Sequence, residues 1–176
     1  MNWRWEPTTG LDVPHIVAMA QTHFQTEIDG VFTPDTVAYA RNLTLATVNQ
    51  FYNPKSEFLQ VARESESNQI LAYTWAINTE RTPWSDDAMV CAKMAHVDMT
   101  LPARQRLRLV TGMIVLWETW ARECGIPVIC STTMRRDQSG FCQWLRQHQR
   151  WLQSRDRLPP WRSQIIALGQ LPSCKN

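Results

Sequence analysis

The chain has 176 residues, of which 44% are hydrophobic and 19% charged, and its formal net charge is +2. That length fits one domain with a single hydrophobic core, over residues 1–176. No apolar run reaches the length of a membrane span, and the residues around Arg4 and Glu6 lack the apolar stretch of a signal peptide. We therefore expect one soluble, intracellular domain.

The first hundred residues predict a strand, two helices and then an antiparallel meander. Apolar residues recur at helical spacing after Asp12, and Thr33-Pro34-Asp35 is typical of a second helix start, with Asn53-Pro54 as its stop. Runs rich in β-forming residues, bounded by polar turns, predict the strands. The predicted strands are residues 3–8, 57–63, 70–78 and 89–99.

The second half predicts a crossover. An arginine-rich loop at residues 101–108 leads into a helix that ends at Cys124 and Gly125, and a strand at residues 126–131 follows. A strand, a helix and a second strand in this order form a right-handed unit with parallel strands. The loop then lies at the amino terminus of the helix, where backbone N–H groups attract anions. A short helix at 139–149 and a last strand at 163–168 complete the pattern.

This order of elements, from Trp3 to Leu168, resembles the GNAT superfamily of N-acetyltransferases. The resemblance implies an α/β (α+β) fold with a mixed, mostly antiparallel sheet flanked by helices. It also implies that the loop binds the pyrophosphate of acetyl-CoA.

The acetyl-CoA loop of the family has the form Arg/Gln-x-x-Gly-x-Gly/Ala. Aligned on Arg104, it places Leu107 and Leu109 at the glycine positions. Aligned on Gln105, it places Arg108 and Val110 there. Because neither register keeps a glycine, we expect acetyl-CoA to bind weakly or not at all. The cofactor-binding residues that the resemblance implies are Val97, Met99, Arg104, Gln105, Arg106 and Arg108.

Candidate catalytic residues lie on the strand before the loop, where the family commonly has a glutamate base. His96 and Asp98 are two residues apart, which places them on one face of a strand, and a histidine can act as a base near neutral pH. His96 can equally be a half-buried residue with a cross-strand partner. A later helix of the family often carries a tyrosine that protonates the thiolate, and this chain has no tyrosine beyond Tyr73.

Two functions stay open at this point. One is an acyl-CoA-dependent N-acyltransferase, or a degenerate descendant of one, with an unknown acceptor. The alternative is a non-catalytic structural or interaction protein, which the missing glycines and the nine tryptophans favour. Internal virion proteins of short-tailed phages look like such degenerate acetyltransferases, and this chain is similar to them. Its location is then the cytoplasm, or a virion if a phage encodes it.

Charge and composition limit the kinds of partner that we expect this chain to bind. Residues 1–100 carry a net charge of −6 and residues 101–176 carry +8. This asymmetry favours an acidic protein surface or self-association, and Trp84 and Trp161 are candidates for the contact. We expect no membrane partner, and no nucleic acid because no recognition motif accompanies the basic half. The four histidines and five cysteines lack metal-ligand spacing, so we expect no metal site.

Overall fold

A computed structural model describes residues 2–27, 33–82 and 85–131. The strands are β1 (Trp3–Pro7), β2 (Glu57–Glu64), β3 (Ile70–Thr82), β4 (Ser85–Val97) and β5 (Ile129–Ser131); the helices are α1 (Val13–Glu27), α2 (Thr36–Tyr52) and α3 (Ala103–Glu123), and a 3-10 turn (Gly10–Asp12) precedes α1. The predicted helix at 139–149, the predicted strand at 163–168, and Trp84 and Trp161 lie outside the described residues.

The described strands form one sheet in the order β1-β2-β3-β4-β5. Neighbouring strands from β1 to β4 are antiparallel, and β5 pairs with β4 in parallel. The parallel pair requires a crossover, which α3 supplies. This mixed, mostly antiparallel sheet with flanking helices confirms the predicted fold class.

The sheet has a hydrophobic core on each face. Leu59, Val61 and Tyr73 face α1 and α2, whereas Ala62 and Ala72 belong to the core that α3 covers. Residues two apart along a strand share a face, so this alternation is the direct result of the sequence pattern.

Gly112 explains how α3 approaches the sheet. A Cβ atom at this position would lie 2.9 Å from Nε1 of Trp5, on β1. The glycine inside the helix therefore makes room for a tryptophan side chain.

The described part of the chain contains no helix long and apolar enough to cross a membrane.

Candidate functional site

The site is built around an irregularity in β4. On β3, Trp75 and Ala76 are consecutive, but their partners on β4 are Met94 and Ala92, so Lys93 is an extra residue. An extra residue of this kind is a β-bulge, which bends its strand and increases the local twist. The last described pair between β4 and β5 is Ala92 with Ser131, directly before the bulge. The bulge therefore falls where β4 and β5 end their described pairing.

Beyond the bulge, β4 offers main-chain groups along its outer edge. The N–H of Asp98 donates to the carbonyl of Leu71 on β3, at 2.8 Å. Hydrogen-bonding direction alternates along an antiparallel strand, so Ala95 and Val97 direct their N–H and C=O groups away from β3. The Val97 side chain is buried against α3. What Val97 can offer a cofactor is therefore its backbone.

The connection from β4 to α3 is shorter than predicted. The helix begins at Ala103, so Arg104, Arg106 and Arg108 lie in its first turns and not in a loop. The sequence pattern placed them in a loop at residues 101–108. The prediction is wrong for a packing reason: Leu101 and Leu109 are buried, and their burial holds the helix start against the sheet.

The corrected boundary changes the meaning of the missing glycines. In either register, the residues matched to glycines lie past the first turn of α3, and Leu109 is fully buried. The residues matched to glycines would therefore not crowd an anion bound at the helix start. The residues at the helix start are Pro102 and Ala103, and no side chain caps the helix. The first N–H groups of α3 are therefore open to a ligand.

The polar side chains in the first turn are only partly satisfied. Oε1 of Gln105 and Nε of Arg106 are buried and have no hydrogen-bond partner among the described residues. Arg106 reaches back to Met99, with 3.5 Å between Nη1 and Sδ. Arg104 is exposed. Arg108 instead lies over the ring of Trp3, 4.7 Å from its centre, so it is drawn away from the helix start.

Asp98 does not share a strand face with His96. It lies one residue past the end of β4, and its carboxylate accepts hydrogen bonds from the N–H and the hydroxyl of Thr100, at 2.9 and 2.7 Å. This is an Asx-type turn, which gives Asp98 a structural task in the connection. The catalytic role suggested for Asp98 stays a prediction.

His96 belongs to a buried row of rings. Its Nδ1 lies 2.6 Å from the hydroxyl of Tyr73, which lies 2.8 Å from the hydroxyl of Tyr39 on α2. On its other side, His96 stacks on His23 of α1, with ring centres 4.3 Å apart. Burial raises the pKa of both phenols, so both keep their protons near neutral pH. The chain of hydroxyls can then donate to the imidazole or accept from it.

A cavity of about 950 Å³ adjoins this row. The end of β4 and the following turn line it through Val97, Asp98 and Met99, and α1 lines it through His23. His96 is not among the lining residues, because it lies behind His23. The cavity therefore lies between the end of β4 and His23.

An ion-pair network closes the far side of this cavity. Arg63 of β2 pairs with Glu6 of β1 and with Asp12 at the start of α1. Burial opposes ionisation of Asp12, but the Thr9 N–H and Arg63 together hold the pKa of Asp12 below its ordinary value. A carboxylate held in this way is a poor proton acceptor, so Asp12 is a structural residue.

Sequence reasoning missed His23, Tyr39 and Tyr73. Their contacts join α1 and α2 to β3 and β4, and such long-range packing leaves no local motif. One signal was available, since His23 follows Ala20 by three positions and so continues the apolar stripe of α1 with a polar residue.

Cys91 is not a candidate nucleophile for the site. Burial raises the pKa of the Cys91 thiol to about 12, so the thiolate nucleophile is scarce at neutral pH.

The described residues thus have the fold of the GNAT acetyltransferases. No protein-family model and no curated protein sequence matches the chain. Solved structures do match in fold. The aminoglycoside 6'-N-acetyltransferase of Acinetobacter baumannii is 10% identical, with a TM-score of 0.59 over 97% of this chain and 99% of that one.

Two further matches have the same character. Glucosamine-6-phosphate N-acetyltransferase of Arabidopsis thaliana has a TM-score of 0.58 at 11% identity, covering 82% of this chain and 90% of its own. A predicted acetyltransferase of Clostridium acetobutylicum, solved with acetyl-CoA, has a TM-score of 0.58 at 18% identity, covering 81% and 87%. Identities this low show the fold alone.

Proposed function

We propose that the protein is an acyl-CoA-dependent N-acyltransferase whose acceptor amine binds in the 950 Å³ cavity. The observation that carries the proposal is that this one cavity is lined both by the end of β4 and by His23. Transfer of an acyl group to an amine needs these two features together, a place for the thioester and a route for the amine proton.

Different residues of this chain would bind the pantetheine and the pyrophosphate of acyl-CoA. The main-chain edge at Ala95 and Val97, which has no strand partner on its outer side among the described residues, would bind the pantetheine. The start of α3, which no side chain caps, would receive the pyrophosphate. Arg104, Gln105 and Arg106 would supply polar contacts there, and Nε of Arg106 is a buried donor that has no hydrogen-bond partner among the described residues. When bound, acyl-CoA supplies the thioester carbonyl that the amine attacks, with loss of the thiol.

His23 is the residue that we assign to proton removal. An amine in the cavity can give its proton to His23 as its nitrogen forms the new bond to the acyl carbon. His96 then acts as a positioning residue, because it stacks on His23 and is itself held by the Tyr73 hydroxyl. This assignment moves the base from His96, where the sequence placed it, to the ring in front of it.

Calorimetric titration with acetyl-CoA tests the cofactor site. We expect measurable binding, and replacement of both Arg104 and Arg106 by alanine should weaken it by roughly 2 to 4 kcal/mol, since hydrogen bonds to charged groups are lost. Arg122→Ala, in the last turn of the same helix, is the matched control and should bind normally. Binding that is undetectable in the unaltered protein, or insensitive to the double change, would contradict the proposal.

A second candidate function is the non-catalytic interaction protein. The observation that favours it is an exposed apolar surface on α2, which we call the α2 apolar surface. Its side chains, 46% to 80% exposed, are Val37, Leu45, Val48, Phe51 and Tyr52. Such a surface is typical of protein contacts. If acetyl-CoA does not bind, the non-catalytic interaction protein becomes the favoured function.

A further inference from the structure

A second cavity, of about 740 Å³, lies at the other end of α3. It occupies the space beside the start of β2, because β1 pairs with β2 only as far as Pro7 and Gln60. The last turns of α2 and α3 close it. Glu123 lines this cavity and Thr100 lines the first, and an α-helix of this length spans about 30 Å. The two cavities adjoin at Thr9, which lines both, but the carboxylates Glu57 and Glu123 line only the second.

Two carboxylates are the only charged groups among the described residues that line this cavity, Glu57 and Glu123. Glu57 is 9% exposed. It accepts hydrogen bonds from Nε1 of Trp75 at 2.5 Å and from Nδ2 of Asn49 at 3.4 Å. No lysine or arginine of the described chain forms an ion pair with it. A buried carboxylate without a cation is costly, so the cavity favours a positively charged ligand.

Aromatic side chains form much of the remaining wall. Phe58 and Trp120 pack with ring centres 5.2 Å apart, and Phe51 and Tyr52 stand at the rim, each 80% exposed. The faces of aromatic rings attract cations and also cover apolar groups. The wall therefore suits a cation that has an apolar body.

Thr8 supplies an independent sign of a ligand. It lines the cavity and is 4% exposed, yet its hydroxyl has no hydrogen-bond partner among the described residues. Its main-chain N–H is satisfied by the carbonyl of Leu59, at 3.0 Å. Buried hydroxyls are normally hydrogen-bonded, so this oxygen is available as an acceptor.

We propose that this cavity binds a primary amine in its protonated form, carried on an aryl or alkyl body. The ammonium donates hydrogen bonds to the Glu57 carboxylate and the Thr8 hydroxyl, and the body packs against Phe51, Phe58 and Trp120. The binding is non-covalent, and it does not depend on the acyl transfer proposed above, because neither Glu57 nor the aromatic wall lines the first cavity.

Calorimetric titration of the full chain with phenethylamine, without CoA, tests the proposal. The matched neutral probe is 2-phenylethanol, which has the same body and no charge, and it should bind at least about tenfold more weakly. Glu57→Gln keeps acceptor and shape but removes the charge, and should weaken phenethylamine about tenfold while the alcohol is unchanged. Glu66→Gln, in the turn after β2, should change neither affinity.

Three results would overturn the proposal. They are equal affinity for the amine and the alcohol, an unchanged amine affinity in Glu57→Gln, and no heat from phenethylamine at millimolar concentration. If Glu57→Gln does not fold, Thr8→Val replaces it and should weaken the amine but not the alcohol. An unchanged amine affinity in that variant counts equally against the site.

Discussion

His23 is the residue on which the proposed chemistry depends most. His23→Ala should lower the rate of acyl transfer to an amine roughly 100-fold or more, because a positioned base contributes at least that much. Thiol release from acetyl-CoA with a panel of amines measures the rate. Binding of acetyl-CoA should change little, since the residues assigned to its pyrophosphate are Arg104, Gln105 and Arg106. Thermal stability should fall, because the change removes a buried ring from the stack with His96.

The result for His23→Ala distinguishes a catalytic base from a residue with a structural role. If His23→Ala loses acetyl-CoA binding together with activity, the stacked histidines are a structural pair. A further check is His23→Gln, which keeps hydrogen bonding but cannot accept a proton near neutral pH, and which should be as slow as the alanine variant.

Gly112 gives a second prediction for a single residue. Gly112→Ala should destabilise the protein by about 1 kcal/mol, because the clash with Trp5 outweighs the better helix propensity of alanine. Urea unfolding measures the change. Gly10→Ala is the control, since a Cβ there meets nothing within 4 Å. A stabilised Gly112→Ala variant would show that Trp5 moves aside easily.

At the scale of elements, the Arg63 network joins β1, β2 and the start of α1. Because the pKa of Asp12 is lowered in the folded protein, Asp12 contributes stability above its unfolded pKa, and this contribution is lost as pH falls through the folded value. We expect the free energy of unfolding to fall between neutral pH and about pH 3.

Urea unfolding at both pH values measures that dependence. Asp12→Asn should be less stable than the unaltered protein at neutral pH and should lose less on acidification. Asp86→Asn, an exposed carboxylate on β4, should leave the pH dependence unchanged. An unaltered pH profile in Asp12→Asn would remove Asp12 from the account of acid sensitivity.

Sequence patterns predicted the elements well where local rules dominate. The helix predicted to open at Thr33-Pro34-Asp35 begins at Thr36, after an Asp35 cap whose carboxylate accepts from the Ala38 N–H at 2.9 Å. The end of α3 at Gly125, with φ of 72°, follows from a residue that adopts positive φ freely. The start of α3 was placed too late because the burial of Leu101 and Leu109, which holds the helix start against the sheet, is a tertiary property.

The candidate site was predictable only in outline. The strand, helix and strand order located the β4 edge and the helix start, but the bulge at Lys93 depends on the register with β3. Likewise, the contact between His23 and His96 requires α1 to pack on β4. Register and packing across long stretches of chain have no marker in a single sequence.

At the scale of the whole molecule, the α2 apolar surface predicts self-association through α2. Replacement of Val37 and Leu45 by glutamate should lower the mass measured by light scattering, because charge on a buried contact is unfavourable. Neither residue lines a described cavity, so ligand binding should be retained. A monomer in the unaltered protein would contradict the prediction.

One further consequence follows from β1, the outermost strand of the described sheet. An outer strand offers unpaired N–H and C=O groups on which another unfolded chain can add a strand, the first step of aggregation. β1 is only five residues long, carries the charged side chains Arg4 and Glu6, and ends at Pro7, which has no N–H to offer. These features discourage strand addition at this edge of the described sheet.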